Sequence, residues 1–146
     1  HRYLHSFPTR RSSDLVAAFI RNTVEATKRD GYVSTILGRR RPVPLINSRN
    51  ANERQAAERV AVNTPIQGSA ADIMKLAMLK VDRVLQERFP EARLLLQVHD
   101  ELILEAPQAL APAVAAAVEA AMASAYTLAL PLRVGVELAP NWGGMH

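Results

Sequence analysis

Two short apolar runs, Leu94-Leu95-Leu96-Gln97-Val98 and Leu102-Ile103-Leu104, flank the polar trio His99-Asp100-Glu101. No other stretch constrains the fold so tightly. Apolar runs of this length read as strands, and with so short a polar interval a tight hairpin over Arg93 to Glu105 is the simplest solution. The rest of the chain has to cover the apolar surface of that hairpin.

Helices are the predicted cover. From Leu15 to Arg29 the positions Val16, Phe19, Ile20 and Val24 follow helical spacing, with Asp14 expected as N-cap and Gly31 as the stop. Asn50 to Val62 is rich in helix formers, and Asn50 with Glu53 has capping-box spacing. Thr64-Pro65-Ile66-Gln67 then predicts a new helix start, with Gln67 closing a second capping box. An apolar stripe of Ala70, Ile73, Met74, Ala77, Val81, Val84 and Leu85 carries that helix towards Arg88. Ala109 to Leu128 reads as a further helix. A second hairpin is expected where Tyr32 to Leu37 meets Gly38 and the basic arm Arg39 to Pro44, and Leu132 to Leu138 alternates as a closing strand. Helices and antiparallel strands segregated in this way give an α+β class, a hairpin sheet packed against long helices.

The 146 residues, 49% hydrophobic, suffice for one domain with a real core and exclude disorder as the global state. The chain has no cysteine, which excludes disulfides and thiolate metal sites and agrees with a reducing cytoplasm. No apolar run approaches the roughly 20 residues of a membrane span, so no membrane partner is expected. The net charge of +4 is unevenly spread. Residues 21 to 59 carry nine Arg/Lys against four Asp/Glu, and residues 60 to 146 carry six against nine. A basic half suits phosphates and an acidic half suits cations; an ordinary solvated surface has the same appearance. Residues 1–15 start without methionine and lack a clear period, which reads as a disordered or foreign leader ahead of a domain at 16–146.

Asp100 and Glu101 are adjacent carboxylates between runs that favour burial, and burying such charge is costly without a cation or donors. Successive strand residues point to opposite faces, so both can serve one ion only if a turn breaks the alternation. Asp100 is therefore the expected ligand and Glu101 an auxiliary one, with hard oxygen donors favouring Mg²⁺ or Mn²⁺. A simple turn role for Asp100 remains the competing reading.

The run Gln97-Val98-His99-Asp100-Glu101, between two apolar strands, resembles the third polymerase motif of family A DNA polymerases of the bacterial polymerase I type. Gly31-Tyr32-Val33, Leu37-Gly38-Arg39-Arg40-Arg41, Ala57-Glu58-Arg59, Asn63, Pro65-Ile66-Gln67-Gly68, Ala70-Ala71-Asp72-Ile73 and Asn141-Trp142 are similar to that family in the same order, over residues 16 to 146. The resemblance implies the C-terminal part of a polymerase palm. It also implies a parent that adds dNTPs to a primer 3′-hydroxyl through two Mg²⁺ (or Mn²⁺) ions, in replication and repair.

By the same resemblance Asp100 matches the carboxylate that binds both ions and Glu101 its less important neighbour. His99 matches a residue near the primer terminus, and Arg59, Asn63 and Gln67 match positions that contact template-primer duplex DNA. Their spacing of four aligns them on one helical face, although Pro65 implies a break. Arg39, Arg40 and Arg41 are expected at phosphates or in a solvated loop. Taken alone, His99 reads as a turn histidine, Arg59 as a solvated arginine and Gln67 as a cap. The family also needs an earlier aspartate and a fingers helix bearing Lys, Arg and Tyr. This chain carries neither segment, so the isolated chain is expected to be an inactive monomer in the bacterial cytoplasm. The alternative is a non-catalytic nucleic-acid-binding module. A His-Asp phosphohydrolase fares poorly, because it needs further histidines and His1, His5 and His146 fall in expected tails.

Overall fold

A computed structural model describes residues 10–144 and divides the chain into two compact units, residues 1–69 and 70–146. In chain order the elements are α1 (Arg10–Asp30), β1 (Tyr32–Ser34), β2 (Arg40–Pro42), a 3₁₀ turn (Pro44–Asn47), α2 (Ala51–Arg88), β3 (Arg93–Val98), β4 (Glu101–Glu105), α3 (Ala111–Ala123) and a final 3₁₀ turn (Trp142–Gly144). The α+β class holds, with two separate two-stranded antiparallel sheets.

In the first unit, α1 begins at Arg10, so Asp14 lies inside the helix and is not its N-cap. The helix starts within the stretch set apart as a leader, and residues 1–9 of that stretch lie outside the described residues. At the other end Gly31 takes φ 78° and its N–H donates to Thr27 O at 2.8 Å, the left-handed glycine stop expected from the sequence. β1 is shorter than expected, because Ile36 and Leu37 form a turn and are exposed. The core is small: Val33, Val43, Ile46, Ala57 and Ala61. The stripe on α1 stays largely outside it, with Val16, Phe19 and Ile20 at 59%, 40% and 42% exposure.

The main departure lies in α2, where one helix of 38 residues replaces the two expected. Pro65 cannot donate to Ala61 O, a helix-interior defect that costs about 3 kcal/mol. Next to the defect the Thr64 hydroxyl donates to Val60 O at 2.7 Å, an added bond that leaves Ala61 O without its ladder donor. Burial on both sides of the defect holds the helix through it: Ala57, Ala61 and Thr64 precede it, and Ala77, Val81 and Leu85 follow. The first capping box does not form. Asn50 still caps the helix, its Oδ1 accepting from the Asn52 N–H at 2.9 Å, while Glu53 accepts the Ser48 hydroxyl at 2.6 Å in place of the Asn50 N–H.

The second unit packs Val81, Leu85, Phe89 and Ala92 against Val114, Ala117, Val118 and Ala121 of α3. Leu94, Leu102 and Leu104 place one face of the β3–β4 hairpin on this cluster. Burying a Val, Leu or Phe side chain contributes roughly 1.5–3 kcal/mol, so this cluster anchors the hairpin. A register shift between Leu94 and Leu96 leaves Leu95 exposed beside Leu96. α3 is shorter than its expected span of 109 to 128, and Lys80 Nζ donates to the Ser124 carbonyl just past its end. Leu132 to Leu138 forms no strand. Alternation alone does not make one, because a strand needs a neighbour for its N–H and C=O groups, and β3 and β4 pair only with each other among the described residues. No described helix is long and apolar enough to cross a membrane.

Candidate active-site hairpin and nucleic-acid face

The β3–β4 register fixes the hairpin tip. Val98 pairs with Glu101, which leaves His99 and Asp100 as a two-residue loop. Such loops close with the twist of the strands only if a residue takes positive φ, the reason glycine is favoured there. Here His99 does so, at φ 54°, the one non-glycine residue with positive φ among those described. The turn breaks the alternation between Asp100 in the loop and Glu101 at the start of β4. Both carboxylates are exposed, and neither forms an ion pair among the described residues. They offer oxygen donors suited to a hard divalent cation. No group of three potential ligands exists among the described residues. The low-dielectric burial expected of this pair is absent.

On the helix, Arg59, Asn63 and Gln67 are all exposed. Because α2 runs unbroken through Pro65, positions four apart fall on one face and span about 12 Å along the axis. No helix begins at Thr64, so Gln67 has no N-terminus to cap and its amide stays on the surface. Arg59 and Asn63 also line an open cleft of about 400 Å³ with Ile20, Val24, Gln55, Glu58 and Val62.

The three consecutive arginines have individual partners. Arg39 Nη2 donates to Gly68 O at 3.2 Å, and Arg41 Nη1 donates to Thr64 Oγ1 at 3.4 Å. Arg40 lies over the Tyr32 ring, 4.5 Å from its centroid. Ile36 N donates to Ser69 Oγ at 2.8 Å, so the tip of the β1–β2 hairpin is fastened to α2 at Gly68 and Ser69. A Cβ on Gly68 would stand 2.7 Å from Thr35 Cγ2, so only glycine admits this approach without a shift. All three arginines remain exposed, and their charge is available to an anion while their side chains brace the turn. The sequence signal for this bracing was only the glycine at 68 beside a small polar residue at 69.

The expected residues thus fall into two groups. Arg39, Arg40, Arg41, Arg59, Asn63 and Gln67 belong to the first unit, and His99, Asp100 and Glu101 meet at one turn in the second.

The model of DNA polymerase family A matches residues 1–144. The chain belongs to DNA polymerase family A. Its similarity to "DNA polymerase I, thermostable" of Thermus thermophilus is 52% identity over 141 residues, 97% of this chain and 16% of that protein. DNA polymerase I of Geobacillus stearothermophilus is 50% identical over 141 residues, 97% of this chain and 15% of that protein. Among solved structures, the POL domain of Pol1 from M. smegmatis, in complex with DNA primer-template and dNTP, is similar with TM-score 0.77 and 45% identity, over 80% of this chain and 21% of that one. This family A chain therefore spans about one-sixth of the curated relatives it matches. The family match includes residues 1–15.

Proposed function

We propose that this family A chain is the C-terminal palm portion of a DNA-directed DNA polymerase that adds dNTPs to a primer 3′-hydroxyl in replication and repair. The observation that carries the proposal is the exposed Asp100-Glu101 pair on a hairpin turn, in a chain about half identical to bacterial DNA polymerase I. Bound Mg²⁺ (or Mn²⁺), two ions in the complete enzyme, would supply activation of the 3′-hydroxyl and stabilisation of charge on the departing pyrophosphate. Asp100 would ligate them, with Glu101 auxiliary. His99 would lie at the primer terminus, where a donor can read the minor-groove acceptors shared by correct pairs.

Arg59, Asn63 and Gln67 present a charged and amide-bearing helix face suited to template-primer duplex DNA. Arg39, Arg40 and Arg41 would contribute positive charge near its phosphates. The assignments of DNA and dNTP as partners draw on the ligands of the similar mycobacterial domain. The working state is a cytoplasmic monomer. The isolated chain should be inactive, since Asp100 and Glu101 have no third ligand among the described residues.

The test is primer extension with Mg²⁺ and dNTPs, by the chain alone and with the upstream portion of a family A polymerase supplied in trans. No incorporation is expected from the chain alone, and rescue in trans should fall by about a hundredfold or more in Asp100→Ala, as removal of a metal ligand costs several kcal/mol of transition-state stabilisation. Incorporation by the chain alone would overturn the expected inactivity. Salt-sensitive duplex binding without rescue would favour the non-catalytic binding module, supported by the exposed Arg59 face.

A further inference from the structure

A histidine held at positive φ in a two-residue loop needs a reason to stay there. Left-handed backbone is unfavourable for any residue with a Cβ, and a hairpin loop of this length ordinarily places glycine, asparagine or aspartate at such a position. His99 takes φ 54° all the same. One side chain acts directly on this residue's backbone: Gln97 Nε2 donates to His99 O at 2.9 Å, across two residues and outside the strand ladder. Gln97 pairs with Leu102 through the strands, so its backbone is held while its amide reaches the His99 carbonyl.

The carbonyl it holds belongs to the peptide plane that leads into Asp100. Holding that plane places Asp100 N and Cα and so narrows the directions in which the Asp100 side chain can leave the turn. We infer that Gln97 is a positioning residue that clamps the left-handed turn at His99 and thereby aims the Asp100 carboxylate. The inference rests on the reading of Asp100 as a metal ligand, and it assigns a role to a side chain that touches no metal itself. Residues of this kind set the orientation of a ligand through hydrogen bonds one step removed from the ion. The clamp also explains how the loop keeps an imidazole at a position where glycine would be conformationally easier: the amide offsets part of the strain that the side chain brings.

The test uses the complete 146-residue chain as wild type, Gln97→Met, Gln97→Met with His99→Gly, and Asp100→Ala. Methionine matches glutamine in length and has no donor. Two quantities are read by NMR: the His99 amide-to-Hα coupling, which reports φ, and the Mn²⁺ concentration that broadens the Glu101 amide. Gln97→Met should move the coupling away from its wild-type value and weaken Mn²⁺ binding about two- to fivefold, the worth of one exposed hydrogen bond. His99→Gly in the same chain should recover most of the Mn²⁺ affinity, because glycine takes positive φ unaided.

Wild-type coupling and wild-type Mn²⁺ affinity in Gln97→Met would overturn the inference. So would a double variant no better than the single one. The two readings fail separately. If Asp100→Ala binds Mn²⁺ like wild type, the metal-ligand reading of Asp100 is lost; in that case, or if the two carboxylates of the isolated chain give no broadening, the coupling alone decides whether Gln97 holds the turn.

Discussion

The two hairpins solve one geometric problem in different ways. Each has to reverse an antiparallel pair, and each contains a residue at positive φ: Gly38 at 81° near the β1–β2 turn, His99 at 54° in the β3–β4 loop. In the first, the positive φ falls to a glycine with open space around it, and the anchoring comes from neighbours, through Arg39 to Gly68 O and Ile36 N to Ser69 Oγ. In the second, the loop itself carries side chains that can do chemistry, and glycine is absent. Where the positive-φ position itself displays no side chain, the easiest conformer is used. Where an imidazole and a carboxylate are displayed, backbone strain is retained and offset locally by Gln97.

That contrast can be broken most forcefully at the first hairpin's anchor. Gly68→Ala should destabilise the first unit by about 1–3 kcal/mol, since the new Cβ meets Thr35 Cγ2 at 2.7 Å and either the hairpin or the helix has to yield. Urea unfolding followed by circular dichroism measures this, and a change within experimental error would show that the hairpin tip is not held against α2. A paired comparison sharpens the difference between the turns. Gly38→Ala should cost about 1 kcal/mol, the penalty of a side chain at positive φ, whereas His99→Gly should change stability by less than about 0.5 kcal/mol because relief of strain and added unfolded-chain entropy oppose each other. Equal losses in the two variants would remove the distinction.

The smallest effect is expected at Asp30, just ahead of β1. The Arg29 side chain donates to its carboxylate at 2.8 and 3.1 Å and holds its pKa below the usual value, while the same hydrogen bond raises that of Arg29. A lowered carboxylate pKa contributes stability above the unfolded value that disappears as pH falls through the folded one. Both groups are open to solvent, so Asp30→Asn should flatten the acid limb of the stability profile only slightly. A large flattening would mean that this pair is far better shielded than its exposure indicates.

Much of the fold was legible in local sequence. The Gly31 stop, the β3–β4 hairpin and the stripe through Val81 and Leu85 each rest on a rule that needs only neighbouring residues: left-handed glycine, paired apolar runs, helical period. Thr64-Pro65 was misleading because it is a strong local start signal, and nothing nearby in sequence announces the buried contacts on both sides that carry α2 through the proline. Leu132 to Leu138 misled in the opposite sense, since its alternation is real and its partner is missing among the described residues. At the candidate site, the motif residues were legible by resemblance. Gln97 was part of that motif with no evident task, because a side chain reaching a carbonyl two residues ahead becomes visible only once the turn has a shape.

The sequence by itself determined the family, the α+β class and the short list of carboxylates and basic residues worth testing, since those follow from residue identity and order. Tertiary structure decided that Arg59, Asn63 and Gln67 share one unbroken helix face, that the arginine triplet braces a turn as well as carrying charge, and that Asp100 sits exposed beyond a strained histidine. Burial and hydrogen bonds between distant segments settle such questions, because they outweigh local propensity by several kcal/mol wherever the two disagree.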